Sequence, residues 1–456
     1  MNLFEDFDSV SSKQWKQQIQ FELKGAEYSD VVWESPEGIK VRPFYHFDES
    51  DATVQPTREN QFRICQDIFV HDVEKSAYRA KDSIARGAES IRFTIENPEI
   101  DVIKLLANLP LESISVYLKL DFLSESFLTS VNKIATEKKT DIFCLIDPVG
   151  QLARNGNWFR NPAANNFEVV NQLSKSLNSI SIVSVDAALY QNAGANIIQQ
   201  VAYALAHANE YLNRVESAGK TFVFEIAVGS NYFFEIAKLR AVRHLFSVIS
   251  KEYTAEMSCH ILATPTKRNK TLYDYNVNLL RTTTECMSAI LGGADAVANL
   301  PYDALYHKSN EFGERISRNQ LLIMKHESYL DKVGNAADGS YYIESLTSQI
   351  AEKALVLFKE IEANGGFIKQ LGDGTIQRKI RESAEKEQQL FDDGKEILLG
   401  TNKHPNKNDR MAHDLELFPF VKIKERRTLI TPIVEKRLAE KIEQQRLESE
   451  KAEGSL

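Results

Sequence analysis

The sequence lacks several features that would by themselves indicate a function. It has only four cysteines among 456 residues, and none of them pair at the C-x-x-C spacing of a metal or redox site. No apolar run approaches the roughly 20 residues that a membrane span needs. The formal net charge of −9 argues against a general nucleic-acid binder, because such proteins present a basic surface.

The strings of several common catalytic sites are also absent. There is no G-x-x-x-x-G-K-[ST] phosphate loop, no G-x-S-x-G nucleophile elbow and no H-E-x-x-H zinc motif. His71, His207, His244 and His307 lie in helical or loop segments without a companion ligand at helical spacing. We therefore predict no metal site on this chain.

The amino terminus does not look like a targeting segment. It reads MNLFEDFDSVSSKQWKQQ, with early acids and no apolar core, unlike a secretory signal. Transit peptides are rich in arginine and poor in acids, which this segment is not. The unpaired cysteines fit a reducing compartment, and we expect a cytoplasmic protein.

An alternation of helices and strands begins at about residue 76. Most of the strand-like runs are short and continuous in hydrophobicity, as strands covered on both faces should be. Eight such runs predict an α/β fold of the (β/α)8 TIM-barrel type, with a doubly wound open sheet as the alternative. The predicted strands are Ser90–Ile95, Ser115–Leu120, Asp141–Asp147, Ser179–Asp186, Thr221–Gly229, Ser258–Pro265, Asp295–Pro301 and Glu396–Gly400.

The barrel is predicted to occupy residues 76–430, between two segments of different character. Residues 1–75 hold one capped helix and then several prolines and glycines, which forbid long regular elements and indicate an extended arm. Residues 304–394 are too long for one crossover helix and indicate an insertion. Residues 431–456 read as a charged helix, which we interpret as a solvated tail, with docking to a partner as the alternative.

Several strings together resemble the barrel domain of the methylmalonyl-CoA mutase family. The most specific is EIAKLRAVRHLF at residues 235–246, followed by an R-T-x-x-E-x-M-x-x-x-x-G-G helix that ends at Gly293. The opening segment 15–45, the NAGANIIQQVAYALAHANEYL segment and DDGKEILLGTNKH are similar to the arm, a helix and the last strand of that family. The resemblance covers nearly the whole chain.

Physical interpretations of the same strings concern fold maintenance. Arg240 and Arg243 with Glu235 fit exposed ion pairs on a helix. Gly292 and Gly293 end a helix and precede a strand, where glycine adopts a left-handed conformation at little cost.

The substrate-facing string of the family is altered in this chain. The catalytic members carry R-Q-Y-A-G at the end of the arm, with the tyrosine facing the substrate. Gln66 matches that string, whereas Cys65 stands in place of the arginine and Asp67 in place of the tyrosine. A carboxylate there cannot stack against a radical substrate and would repel a substrate carboxylate.

The second altered position follows the sixth predicted strand. Catalytic members have H-C-Q-T-S-G there, with a histidine that hydrogen-bonds the migrating thioester. Counting back from Arg281 without a gap places Leu262 at that histidine. His260 lies two residues earlier, about 7 Å along a strand. A shifted alignment would make it the acid, but we interpret it as a hydrogen-bonded strand histidine without a catalytic task.

The resemblance also implies a cofactor site that this chain lacks. Catalytic members bind adenosylcobalamin in a separate domain with a D-x-H-x-x-G loop, and that string occurs nowhere here. We therefore expect no cobalamin-binding domain, and no catalytic, cofactor-binding or metal-binding residues on this chain.

The resemblance implies the non-catalytic small subunit of a heterodimeric methylmalonyl-CoA mutase. Its partner would be a large catalytic chain that binds adenosylcobalamin and the acyl-CoA substrate and interconverts succinyl-CoA and (R)-methylmalonyl-CoA. The arm would clasp that partner, and neither nucleic acid nor membrane is expected to bind. The alternatives are a catalytic barrel chain of a split acyl-CoA mutase with a separate cobalamin-binding subunit, and a homodimeric structural or chaperone-like protein.

Overall fold

Parallel strands form the centre of the fold. The computed structural model describes residues 8–49, 58, 61–216, 221–253, 257–422 and 425–453. A short antiparallel pair lies in the arm, and every other strand belongs to one sheet. The strands are β1 (Trp33–Glu34), β2 (Lys40–Val41), β3 (Arg63–Phe69), β4 (Ser90–Ile95), β5 (Ser115–Leu120), β6 (Ile142–Leu145), β7 (Ile180–Ser181), β8 (Ser184–Asp186), β9 (Thr221–Val228), β10 (Ser258–Pro265) and β11 (Ala296–Ala298).

The large sheet closes into an eight-position barrel. Its strand order is β7-β6-β5-β4-β3-β11-β10-β9-β8, with every pairing parallel. Only two residues separate β7 from β8, so these two are halves of one strand that pairs with β6 by its first half and with β9 by its second. The predicted (β/α)8 TIM-type fold is confirmed.

Helices surround the barrel. Several begin at the caps that the sequence suggests, for example Ser11, whose side chain and backbone exchange hydrogen bonds with Gln14 in a capping box. The α-helices are α1 (Ser12–Glu22), α2 (Val73–Ala85), α3 (Val102–Leu106), α4 (Glu125–Lys138), α5 (Pro148–Asn155), α6 (Ala164–Ser176), α7 (Ala188–Asn192), α8 (Ile197–Leu212), α9 (Tyr232–Ser250), α10 (Val277–Leu291), α11 (Glu311–His326), α12 (Tyr341–Ala363), α13 (Phe367–Gly372), α14 (Thr375–Asp392) and α15 (Glu440–Glu453). No helix in the described part of the chain is both long enough and apolar enough to cross a bilayer.

One strand of the barrel lies where the sequence predicted none. β3 falls inside the segment predicted as the arm, because its pattern RICQDIF places polar residues on the inner face and does not read as a continuous apolar run. The prediction of a last strand at Glu396–Gly400 was wrong: Leu399 makes only an isolated bridge with Lys403. The other seven predicted strands are confirmed, with ends that differ by a few residues.

The arm runs over the outside of the barrel at the amino ends of α9 and α12. Trp33 packs on Phe234 with 5.6 Å between ring centroids, and Tyr45 packs on Tyr342 at 5.1 Å. These aromatic contacts, together with the fully buried Ile39 side chain, attach the arm to the barrel. Residues 50–57 and 59–60, which the arm prediction also covers, lie outside the described residues.

Two predictions of solvent exposure were wrong. Arg240 is fully buried and pairs with Asp338 and Glu344, while Glu235 is buried beside Lys238 at 2.5 Å. The predicted tail helix, α15, also buries one face, where Leu447 packs and the Glu443 side chain accepts the backbone N–H of Leu272 at 2.7 Å. In both cases charged residues with exposed-looking spacing are buried against segments that lie far away in the chain.

Candidate functional site

The interior of the barrel is the natural place for a site, because alternate residues of each strand point into it. On β4, Ile91, Phe93 and Ile95 join the main core beneath the helices, so that Arg92 faces inward. The same alternation on the other strands yields a separate small interior core. It consists of Cys65, Tyr117, Phe143, Leu145, Val223, Leu262, Ala296 and Ala298.

Towards the carboxyl ends of the strands, the interior holds a group of charged side chains that we call the ion cluster. Five strands and α5 contribute to it. Its three cations match its three carboxylates in number, so the cluster as a whole is neutral. The ion cluster consists of Asp67, Arg92, Lys119, Arg154, Asp186 and Glu225.

Hydrogen bonds join the ion cluster across the barrel. Arg92 donates from Nε and Nη2 to the two carboxylate oxygens of Asp67, at 2.7 and 2.6 Å, and from Nη1 to Glu225 at 3.1 Å. Lys119 donates to Asp186 at 2.8 Å and to both oxygens of Glu225 at 3.1 and 3.3 Å. Arg154 also pairs with Asp186. Because β4 and β5 do not pair with β9, these bonds span the interior.

The pKa values of the cluster reflect mutual pairing in a buried place. Burial alone would raise the pKa of Asp186, but Lys119 and Arg154 outweigh it and hold that pKa well below its usual range. Burial raises the pKa of Glu225, and Lys119 only partly offsets this. Burial would lower the pKa of Lys119, but the two carboxylates raise it overall. Every member of the ion cluster is paired with an opposite charge of the same chain.

The positions that the resemblance singles out are now located. Asp67 is the bidentate partner of Arg92, and Cys65 and Leu262 are buried in the interior core. Burial raises the pKa of the Cys65 thiol to about 12. Gln66 points the other way, out of the barrel, where it accepts a hydrogen bond from Arg318 of α11 at 2.7 Å. Three of these four residues therefore fill the barrel with the chain's own side chains.

Towards the amino ends of the strands, aromatic rings fill the interior. His260 stacks on Phe143 with 4.8 Å between ring centroids, and its Nε2 lies 2.8 Å from the Tyr117 hydroxyl. Burial lowers the pKa of His260, which favours the neutral ring. His260 is thus a packed, hydrogen-bonded strand histidine, and it lies at the opposite end of the barrel from the ion cluster.

A second buried group supports the ion cluster from outside. Asp147, at the end of β6, accepts hydrogen bonds from the Tyr211 hydroxyl at 2.5 Å and from the backbone N–H of Asp186 at 2.8 Å. His207 lies 2.8 Å from the same carboxylate and 2.7 Å from the Tyr190 hydroxyl. The Asp186 backbone is therefore fixed by a polar network that spans β6, β8 and α8.

The chain's own carboxyl-terminal segment crosses the carboxyl-end face of the barrel. This segment, residues 429–438, is called the strap. Its backbone N–H groups donate to carbonyl groups in the segments that follow β6, β8 and β10: Leu429 to Gly156 at 2.9 Å, Ile433 to Ala153 at 2.8 Å, Lys436 to Asn192 at 3.1 Å and Leu438 to Arg268 at 2.9 Å. The mouth of the barrel is thus bridged by backbone hydrogen bonds.

Adenosylcobalamin does not fit this face. A corrin ring held over the strand ends would have to displace the strap, and the interior beneath it is closed by paired charges. Among the described residues, no group of three or more His, Cys, Asp or Glu side chains is arranged to hold a metal ion.

The sequence indicates the ion cluster only indirectly. Its members stand singly within apolar strands, as in SIRFTI, SVYLKL and TFVFEIAV. A single charge flanked by apolar residues in such a run indicates that one face of the strand differs from the other. The pairing of Arg92 with Glu225 joins residues far apart in the chain, and no local pattern predicts it.

Comparisons with known proteins identify the family of the chain. The family model described as methylmalonyl-CoA mutase matches residues 94–451. The chain is 35% identical over 447 residues to the methylmalonyl-CoA mutase small subunit of Porphyromonas gingivalis, covering 89% of this chain and 71% of that one. It is 26% identical over 468 residues to the methylmalonyl-CoA mutase of Rhizobium meliloti, covering 89% and 65%.

The match to a mammalian relative is similar. The mitochondrial methylmalonyl-CoA mutase of Homo sapiens is 27% identical over 454 residues, which cover 86% of this chain and 60% of that one. The chain therefore spans less than two thirds of the length of the two relatives named simply as mutases. Because the family model matches most of the sequence, the chain belongs to the methylmalonyl-CoA mutase family of isomerases.

Proposed function

We propose that the chain is the non-catalytic small subunit of a heterodimeric methylmalonyl-CoA mutase. Its partner would be a large chain that holds adenosylcobalamin and interconverts succinyl-CoA and (R)-methylmalonyl-CoA. The observation that carries the proposal is the filled barrel, with the ion cluster at one end and the stacked rings of Phe143 and His260 at the other. The name of the Porphyromonas gingivalis relative supports the assignment of this chain as a small subunit.

The filled interior argues against substrate binding along the barrel axis. An acyl-CoA threaded there would have to separate Arg92 and Lys119 from Glu225, whose side chain is only 4% exposed. Breaking a buried ion pair leaves an uncompensated charge, at about 3 to 5 kcal/mol. The residues at the altered family positions, Asp67 and Leu262, contribute to this closure.

The arm is the part of the proposal that concerns the partner. Its apolar side chains are unusually exposed for a soluble surface: Phe21 is 79% exposed, Phe47 73%, Trp33 50% and Trp15 47%. Aromatic residues are enriched at protein interfaces, and an exposed apolar surface of this kind marks a docking site. We infer that the arm clasps the large subunit.

The activity test uses the full-length chain alone and together with the large chain. We expect no rearrangement of succinyl-CoA by the isolated chain in the presence of adenosylcobalamin, and no saturable binding of acyl-CoA by calorimetry. Tight, specific acyl-CoA binding by the isolated chain would instead favour the alternative, a catalytic barrel of a split mutase. Rearrangement at an enzyme-like rate without a partner would refute the non-catalytic role.

The clasp test compares exposed aromatics inside and outside the arm. The double variant Phe21→Ser/Phe47→Ser and a chain lacking residues 1–60 should both fail to co-purify with the large subunit. The matched control, Tyr78→Ser/Tyr329→Ser, removes rings that are 72% and 63% exposed on other parts of the surface and should co-purify normally. Unchanged co-purification of the two arm variants would rule out the clasp.

The expected cytoplasmic location belongs to the same proposal. All four cysteines are free thiols, and three of them are buried within the fold. A chain that uses cysteine as a small buried side chain suits a reducing compartment. Measuring the distribution of the protein between cytoplasmic and other fractions of its cells would test this.

A further inference from the structure

The first helix of the arm, α1, lies on the surface with few contacts to the rest of the chain. Of its 11 residues, only Ser12 is buried. Trp15 meets Phe44 edge-on, with 6.2 Å between ring centroids, and the backbone N–H of Ser12 donates to the Asp48 carboxylate at 2.9 Å. An isolated helix of this length is only marginally stable in water. The sequence therefore specifies a helix that the described part of the chain leaves largely uncovered.

The two ends of α1 are nevertheless well defined. Ser11 and Gln14 form the capping box at its start. Gln18 donates to Glu22 one turn further along at 2.7 Å, and Gly25 follows the helix with φ at +102°. These local contacts hold the helix together without covering its outer face. A partner that binds this face therefore meets a preformed helix, which lowers the entropic cost of association.

One face of α1 carries no charge. Gln14, Gln17, Gln18 and Phe21 stand at the i, i+3, i+4 and i+7 spacing that places side chains on the same side of a helix. All four side chains are exposed, and Phe21 is 79% exposed. The solvent face of a surface helix usually carries charged residues, whereas depletion of charge is typical of the centre of a protein interface. We call these four residues the α1 face.

Phe21 differs from the other exposed rings of the arm. Phe47 approaches Tyr341 with 6.5 Å between ring centroids, and Trp33 packs on Phe234. In the part of the chain that the structure describes, Phe21 has no such ring contact. The Phe47 and Trp33 rings are therefore attached to the chain's own barrel, whereas the Phe21 ring is available to another molecule.

We propose that α1 docks into a groove on the large subunit, with Phe21 as the apolar anchor and the glutamines of the α1 face as hydrogen-bonding groups around it. The i, i+3, i+4, i+7 spacing is that of helix-in-groove recognition. The matching surface on the partner is an apolar pocket with uncharged polar groups at its rim. The inference rests on the proposed subunit role and narrows the clasp from the whole arm to one helix.

The large subunit is favoured over two other occupants of the α1 face. The hydrogen bond between Ser12 and Asp48 joins α1 to the arm next to Phe47, so that one partner can cover both surfaces. A second copy of this chain carries the same net charge of −9, which opposes association. Binding to a membrane surface requires a broad apolar face, whereas the α1 face holds a single apolar side chain.

Calorimetric binding of the full-length chain to the purified large subunit tests the anchor. Phe21→Ser should weaken binding by about 30-fold or more, which is the effect of losing a residue that dominates an interface. The matched control is Phe47→Ser, which removes a ring of similar exposure from the same arm. This control should bind nearly as the wild type does, because Phe47 packs beside Tyr341 of its own chain.

A second pair of variants tests the helix instead of the ring. Gln17→Pro breaks α1 but leaves Phe21 in the chain, and it should weaken binding about as much as Phe21→Ser does. Gln17→Ala keeps the helix and should weaken binding much less. Because Ser12 is the only buried residue of α1, all four variants should melt at the wild-type temperature. A loss of binding at an unchanged melting temperature excludes unfolding of the barrel as its cause.

Three results would overturn the inference. The first is wild-type affinity of Phe21→Ser or Gln17→Pro for the large subunit. The second is equal weakening by Phe47→Ser, which would assign the anchor to the arm as a whole. The third is a loss of self-association of the isolated chain in Phe21→Ser with unchanged binding of the large subunit, which would identify a second copy as the occupant. If the wild-type chain fails to bind the large subunit at all, the proposed subunit role falls together with this inference, whereas the three results above refute the inference alone.

Discussion

Arg92 offers the sharpest test of how the barrel interior is held together. Replacing it by methionine keeps most of the apolar stem but removes the guanidinium, whose side chain is 11% exposed. The ion cluster would then hold three carboxylates against two cations. The Asp67 side chain is 39% exposed, so water can solvate its carboxylate once the Arg92 guanidinium is removed. The Glu225 side chain is only 4% exposed, so water cannot solvate its carboxylate in the same way.

The magnitude follows from that difference in burial. Removing one partner of a buried ion pair costs about 3 to 5 kcal/mol, because the other charge stays buried. We expect Arg92→Met to lose about 3 kcal/mol, since Lys119 still reaches Glu225. The double variant Arg92→Met/Glu225→Gln restores neutrality, and its loss should fall short of the sum of the single losses by about 1 to 3 kcal/mol.

Urea unfolding followed by circular dichroism measures these losses, with the slope of the transition as a check that the same surface unfolds. The control is Arg86→Met, which removes a surface arginine that is 51% exposed and pairs with Asp82 one helical turn away. Its midpoint should stay close to that of the wild type. An Arg92→Met midpoint equal to the control, or strict additivity in the double variant, would refute the reasoning.

Three further predictions concern buried groups elsewhere. Cys65, whose thiol pKa burial raises to about 12, should resist a thiol reagent at pH 8 in the native protein and react in urea. Fast labelling of Cys65 in the native protein would contradict its burial. Burial would raise the pKa of Asp147, but the His207 imidazole and hydrogen bonds hold it below its ordinary 3.8, so its stabilisation is complete above that value and is lost as the pH falls below it. Asp147→Asn should therefore flatten the loss of stability in acid-unfolding curves below about pH 4, and an unchanged slope there would count against the network. Gly194→Ala should lower stability by about 1 to 3 kcal/mol in urea, because φ is +96° and the new methyl would lie 2.9 Å from the Ala384 Cα; a gain in stability would contradict that geometry.

The sequence predicted the outer shell of the barrel better than its interior. Runs such as SIRFTI and SVYLKL present one apolar residue at every second position to the helices, and that pattern depends on neighbouring residues alone. β3 escaped prediction because Cys65, Gln66 and Asp67 interrupt its apolar pattern. The helix on which the sequence places Glu235, Arg240 and Arg243 is confirmed as α9.

For the candidate site, the sequence predicted only that the catalytic residues of the family are missing. The resemblance indicated that Asp67 and Leu262 do not suit the family chemistry, but it could not tell what they do. In the structure Asp67 pairs with Arg92 on the next strand, and Glu225 pairs with Arg92 and Lys119 across the barrel. These contacts depend on closure of the sheet, which brings together residues separated by 133 positions in the chain. The same dependence on distant segments explains why Arg240 was wrongly predicted to be exposed.

The balance of charge inside the barrel has an evolutionary consequence. A mutation that removes any one of the six charged groups, as a first step towards opening a channel, leaves an opposite charge without its partner in a poorly hydrated place. The chain with one change would be less stable than the chain with none or with both, so opening the barrel requires paired changes in the same lineage. Selection against the unstable intermediates would then preserve the closed interior. In descendants of this chain, surface residues should change more freely than the six residues of the ion cluster.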